Sequence, residues 1–160
     1  MKSLFIIINY FFIIYFSVAK EYNIESHGKM ILVKEHAYSK NDNLKIVKLE
    51  GTFKDSTGNF GLFNSIVTIN TVKKKIKSLR ASNEFTYKDD IKAYNVAKRS
   101  NEELEQGVGI WNYNYASSGL KSLINSECIY SIKYFGDHYL CVAKCDVTDE
   151  AINELKNLNQ

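Results

Sequence analysis

Hydrophobic and polar residues alternate with a period of two through most of the chain, and clusters of Gly, Asn, Asp and Ser break the alternation at short intervals. The clearest instance runs from Glu127 to Val147. Two segments rich in Ile, Tyr, Val and Phe flank Gly136-Asp137. Glycine at the first position of a two-residue reversal suits a type II′ turn, whose twist continues that of the strands. Such a turn sets the register: Phe135 faces His138, Tyr134 faces Tyr139, Ile132 faces Cys141 and Cys128 faces Cys145. Counted outward from the turn, the last of these is a non-hydrogen-bonded pair. Side chains approach closest there, as a disulfide requires. The face carrying Cys128, Tyr130, Ile132, Tyr134, Tyr139, Cys141, Ala143 and Cys145 is the one expected to be buried.

The same pattern predicts further strands. Met30 to Ala37 is followed by a loop and by Leu44 to Lys54, where the apolar parity slips between Ile46 and Val47, so a bulge is expected there. Asp55 to Asn59 is a turn by its residue types. Phe60 to Val72 reads as a long strand ending at the Lys73-Lys74-Lys75 tip, and Ile76 to Ser82 returns from it, extending to Tyr87 past a distortion at Asn83. Ile91 to Arg99 carries Tyr94 and Val96 on one side. Val108 to Tyr115 carries Trp111, Tyr113 and Tyr115 on one face, and Gly107 and Gly109 open it. Residues 20–29 are polar and aperiodic and read as a flexible leader. Ser100 and Glu103 have capping-box spacing, which predicts a helical turn over 100–106. Residues 117–126 read as a loop. Thr148 is placed to cap a short helix through Leu158, with Asp149 and Glu150 in its first turn and Ile152, Leu155 and Leu158 on one side.

About eight strands with short turns and no βαβ alternation predict an all-β fold, an up-and-down antiparallel β-barrel of lipocalin or avidin size with a short C-terminal helix. A β-sandwich is the alternative. The expected organisation is a signal peptide over 1–19, the leader over 20–29, the barrel over 30–147 and the helix over 148–160.

Several motifs recur together: Asp55-x-x-Gly58-Asn59-x-Gly61, Glu105-x-Gly107-Val108-Gly109, Cys128-x-Tyr130 and Lys144-Cys145. Over residues 50–146 this skeleton resembles small, uncharacterised secreted proteins of marine proteobacteria. The resemblance implies a small β-barrel and brings no catalytic residues. The chain departs from that pattern in having a helix after its last cysteine.

Composition bears mainly on compartment. Met1-Lys2, an apolar run from Leu4 to Phe16 and Ser17-Val18-Ala19 form a secretory signal peptide with a cut after Ala19. The apolar run is short for a membrane span, so no stable span is expected after cleavage. The three cysteines then divide into the Cys128–Cys145 pair and a free thiol at Cys141. Without Lys2 the chain keeps a small positive excess over its 18 acidic side chains, too small to point to nucleic acid. The expected location is the periplasm or the exterior.

No residue constellation carries chemistry. His138 lies three residues from Cys141 on one strand, so the two point to opposite faces and make no thiol–base pair. His27, His36 and His138 share no ligand spacing, and Asp55 to Asn59 lacks the alternating acids of a calcium loop, so no metal and no cofactor are expected. Asp89-Asp90 and Glu102-Glu103 are adjacent pairs, not acids set across a cleft. Gly107-Val108-Gly109 lacks the third glycine and helix of a dinucleotide loop. The aromatic residues are the informative feature. Trp111, Tyr113, Tyr115, Tyr130, Tyr134 and Tyr139, on strands expected to be neighbours, are candidates to line a cavity for a small apolar or aromatic ligand, or to fill the core. The leading function is a non-enzymatic exported binding protein. The alternatives are a structural or protein-interaction component of the cell envelope and a barrel-cavity isomerase or cyclase.

Overall fold

The computed structural model describes residues 20–99 and 106–159. The expected signal peptide, over 1–19, and most of the helical turn expected over 100–106, with Glu105 among them, lie outside the described residues. Eight strands follow one another around a closed antiparallel barrel: β1 (Lys20–Ala37), β2 (Asn43–Asp55), β3 (Phe60–Val72), β4 (Lys75–Thr86), β5 (Lys92–Arg99), β6 (Gln106–Ala116), β7 (Glu127–Phe135) and β8 (His138–Val147). Each pairs with its sequence neighbour, and β1 closes the ring on β8. Helix α1 (Asp149–Asn157) follows.

The β7–β8 hairpin has the register expected from its turn, from Phe135 opposite His138 to Cys128 opposite Cys145. Gly136 takes φ +63° and Asp137 does not follow it into the left-handed region, as a type II′ turn requires. Cys128 and Cys145 are bonded. Their sequence separation of 17 closes a loop whose loss of unfolded-state freedom stabilises the fold by about 3 kcal/mol.

Residues 20–29 are a strand, not a leader. They are the part of β1 that closes the barrel, running from Lys20 opposite Val147 to Lys29 opposite His138. Tyr22, Ile24 and Ser26 point inward and are buried, while Glu21, Asn23 and His27 face out. The alternation is there, but its third and fourth inward positions are Ser26 and Gly28, so no apolar stripe announces it. Gly28 sits opposite Gly51, and a Cβ on either would run into a carbonyl of the other strand. The close approach of β1 and β2 depends on both being glycine.

The bulge expected near Ile46 and Val47 falls at that level of the sheet, but on the neighbouring strand. β2 runs unbroken with Val47, Leu49 and Phe53 inside. The extra residue is Val33, in β1, between the pairs Leu32–Val47 and Lys34–Ile46. β4 continues through Asn83 to Thr86, and its irregularity lies near the tip, where Asn70 faces Ser78 and Thr71 faces Ile76. Asn83 points inward and its Nδ2 donates to Asn95 Oδ1 at 2.7 Å, so a buried amide pair replaces the expected distortion. A third shift, between Tyr94 and Asn95, leaves Asn114 of β6 unopposed.

At the β3–β4 tip Lys73 and Lys74 adopt φ +52° and +64°. Asp42 Oδ1 accepts from Lys73 N at 2.8 Å and Asn41 O from Lys74 N at 3.1 Å, holding both residues in a conformation that costs a side-chain-bearing residue about 1 kcal/mol. Replacing Lys74 by glycine is expected to raise stability by about 0.5–1 kcal/mol, read from the denaturant midpoint. An unchanged or lower midpoint would count against the left-handed tip.

The opposite end of the barrel is capped. Thr148 Oγ1 accepts from Ala151 N at 3.2 Å, the expected N-cap, and α1 buries Ala151, Ile152 and Leu155. Part of the expected 117–126 loop is a 3-10 segment, Ser118–Leu123, that buries Leu120 and Leu123. Ser122 N donates to Glu154 Oε2 at 2.9 Å, tying this segment to the helix. The β2–β3 turn joins the same cap. Asn59 Nδ2 donates to Asp55 Oδ2 and to Leu155 O, each at 3.0 Å.

Most of the large apolar side chains face in, and the outer wall of β1, β2 and β8 carries the ion pairs Lys48–Glu50, Lys54–Glu25 and Lys144–Glu21 among exposed apolar residues such as Leu140 and Val142. Among the described residues no helix is long and apolar enough to cross a membrane.

Candidate functional site

Four of the six candidate aromatic residues, Trp111, Tyr113, Tyr130 and Tyr139, are buried inside the barrel, and Tyr134 is half-buried towards the open end. Tyr115 is not with them. The unopposed Asn114 reverses the alternation of β6 after Tyr113, so Tyr115 faces out, 61 % exposed, with its ring 5.6 Å from that of Tyr94. Tyr94 and Val96 face out as well, and the inward side of β5 is Ala93, Asn95 and Ala97.

The inward rings pack on one another instead of lining a void. Trp111 stacks on Tyr130, with centroids 5.5 Å apart and planes 15° from parallel. Phe85 contacts Trp111 at 5.9 Å and Phe63 at 5.0 Å, and Phe63 contacts Tyr139 at 6.0 Å. Gly109 makes room for this stack, because a Cβ there would lie 2.7 Å from the Tyr130 ring. What remains within the upper barrel is a slot of about 30 Å³, against the several hundred that a small organic ligand fills.

The slot is lined by apolar residues such as Leu49, Phe63 and Ile132 together with Ser65, Asn83, Arg99, Trp111 and Cys141. Ser65 Oγ and Trp111 Nε1 are buried there without a hydrogen-bond partner. Arg99 lies at the end of β5, packed so closely over Gly107 that a Cβ would overlap its guanidinium, and it donates to Gln106 O. Ser65 and Arg99 were not among the candidates. A signal for Arg99 exists in the spacing Ala93-x-Asn95-x-Ala97-x-Arg99, a run of small inward residues ending in a cation, but the more apolar Tyr94 and Val96 mask it.

Burial sets the protonation of the site. It pushes the phenols of Tyr113, Tyr130 and Tyr139 up, and that of Tyr134 to about 12, although the nearby Arg99 charge draws Tyr130 and Tyr134 part of the way back. Burial likewise pushes the Cys141 thiol to about 12, against a smaller opposing effect of its hydrogen bond with Ser26. At neutral pH these groups are uncharged, so they act as hydrogen-bonding and packing groups and not as nucleophile or base. His138 is exposed on the outer face, its Nε2 3.4 Å from Asp137 Oδ1, while Cys141 is inside. Among the described residues no three His, Cys, Asp or Glu side chains are grouped to hold a metal ion.

A second concavity lies outside the barrel. A groove of about 460 Å³ crosses the outer wall where Val108, Ile129, Ser131 and Val142 meet Asn23, Glu25, Lys54 and Lys144. Its floor carries several exposed apolar residues. Ile110 faces Ile129 across β6 and β7, and Ser131 separates Val108 from Val142.

The chain matches no protein-family model, no curated protein and no solved structure. Its likeness to small secreted proteins therefore stands on turn and cysteine motifs alone.

Proposed function

We propose that the protein is exported after cleavage behind Ala19 and acts as a non-enzymatic interaction component of the cell envelope, meeting its partner through the outer wall of β6, β7 and β8. The observation that carries this reading is the packed interior. Among the described residues the slot inside the barrel offers about 30 Å³, well short of what the apolar or aromatic ligand suggested by its aromatic content would fill. The outer wall instead exposes Ile129 by 61 %, Val142 by 47 % and Val108 by 46 %, which all line the groove. Clustered exposed apolar surface with a charged rim is the usual mark of a contact surface. The Glu25–Lys54 and Glu21–Lys144 pairs supply such a rim. Export is supported by the Cys128–Cys145 bond.

Photo-crosslinking in the producing cell tests the proposal. A crosslinking residue placed at 129 or 142 is expected to give a discrete protein adduct, and one at Thr68, on the outer wall of β3, is expected to give none. No adduct at 129 or 142, together with an organic molecule retained by the purified protein in native mass spectrometry, would return the function to the lumen.

A further inference from the structure

The small net charge of the chain conceals how its charges are distributed. With each strand divided at its midpoint, the open half of the barrel, which ends in the β1–β2 and β3–β4 tips, comprises residues 29–49, 66–80, 96–110 and 131–142. Those segments carry thirteen Lys and Arg side chains against six Asp and Glu, even with Glu102, Glu103 and Glu105 counted among them. The rest of the chain from Lys20 onward carries seven against twelve. A nearly neutral protein is thus an electrical dipole, basic at its open end and acidic at its capped end. The acids of the two tips are already engaged. Glu35 pairs with Lys45, and Asp42 accepts from the backbone of Lys73. Among the described residues no carboxylate lies within ion-pair distance of Lys34, Lys40, Lys74 or Lys77.

The same end exposes apolar side chains. Beyond Met30, whose N–H still reaches Asp137 O, β1 is bonded to β2 alone and the two strands project as a ribbon. On it Leu32, Val33 and Tyr38 are each more than half exposed. The Asp42 and Asn41 contacts to Lys73 and Lys74 tie this ribbon to the β3–β4 tip, so both meet a surface as one unit. From the charge separation and the apolar ribbon together we infer that the open end docks on an anionic membrane surface, its lysines against lipid phosphates and Leu32, Val33 and Tyr38 at the boundary between headgroups and acyl chains. Lysines alone would suit any polyanion. Apolar side chains beside them gain only where water is exchanged for hydrocarbon, which a lipid surface offers and a nucleic acid backbone does not. This surface lies on β1 to β4 and does not rest on the contact proposed above for the wall of β6 to β8.

Sedimentation of the disulfide-bonded mature protein with lipid vesicles tests the inference. Vesicles of phosphatidylglycerol mixed with phosphatidylcholine are expected to carry the protein down, vesicles of phosphatidylcholine alone to leave it in solution, and added salt to release it. Lys40→Gln, Lys74→Gln and Lys77→Gln combined should weaken the partition about a hundredfold. Lys88→Gln, Lys121→Gln and Lys156→Gln remove the same charge from the capped end and should change it less than about threefold. Leu32→Ser with Val33→Ser should weaken it about tenfold, with the thermal melt of each variant close to that of the parent. No sedimentation with the anionic vesicles would overturn the inference, as would equal losses from the two lysine sets. Binding that the Leu32 and Val33 substitutions leave unchanged would assign the basic end to a soluble polyanion and overturn it too.

Discussion

Asp55→Ala is expected to lower stability by about 3 kcal/mol, a large loss for one side chain at the end of a strand. The carboxylate accepts five hydrogen bonds. Oδ1 takes Thr57 N at 2.9 Å, Thr57 Oγ1 at 2.8 Å and Asn59 N at 3.0 Å, and Oδ2 takes Tyr22 Oη at 2.8 Å and Asn59 Nδ2 at 3.0 Å. Removing it opens the β2–β3 turn and leaves the fully buried Tyr22 hydroxyl with only Tyr87, 3.2 Å away. Because Asn59 also holds Leu155 O, the damage should spread to α1, where amide exchange is expected to accelerate. Urea denaturation of the parent, Asp55→Asn and Asp55→Ala measures the effect, with the asparagine variant intermediate. A change of less than about 0.5 kcal/mol in Asp55→Ala would refute the role assigned to this carboxylate.

A second large effect is expected at alkaline pH. Burial raises the phenols of Tyr22, Tyr87, Tyr113, Tyr130 and Tyr139 above the ordinary value of 10.0, and raises the Cys141 thiol from 9.0 to about 12. A group whose folded pKa is raised holds its proton more tightly in the folded state. Its contribution is complete below its unfolded value and is lost as pH rises through and beyond that value. Stability should therefore be level between neutrality and pH 9.0, then fall, first through the thiol and more steeply above 10.0. One unit above its unfolded value each buried phenol withdraws about 1.4 kcal/mol. Five of them together rival the whole stability of an ordinary domain, roughly 5–15 kcal/mol, so unfolding is expected to be complete by about pH 12. Circular dichroism and phenolate absorbance followed together provide the check. Both signals should change in one cooperative step. Phenolate absorbance from these buried rings appearing well before loss of the fold would mean that they are not sealed from water.

The parts of this molecule legible in its sequence are those where one local rule suffices. The Gly136-Asp137 reversal determines the cysteine pairing because a two-residue turn leaves no freedom in register. Thr148 with Asp149 and Glu150 marks α1 because a cap is a local event. The barrel itself follows from counting strands without crossover helices. What escaped required knowledge of a partner strand. Val33 is the extra residue only in relation to Val47 and Ile46, and Asn114 only in relation to Tyr94 and Asn95, so neither bulge shows in its own strand's pattern. The second of them is why Tyr115 sits on the outside although it is two residues from Tyr113. The closing half of β1 was hidden for another reason, since small Ser26 and Gly28 take inward places where apolar residues are looked for. The polar slot was missed on the same grounds. Ser65 and Arg99 are ordinary in their own segments and come to line one slot with Trp111 only in the folded barrel.

The seam between the first and last strands bears on how the protein could be delivered. Lys20 pairs with Val147, so almost the entire polypeptide must be present before the ring can shut. A chain threaded through a secretion channel amino end first would remain an open ribbon until its final residues emerged, and contacts between such distant parts of a chain form slowly. For a chain delivered in that way, the ring could close only on the far side of the membrane, where both of its edges would be present together.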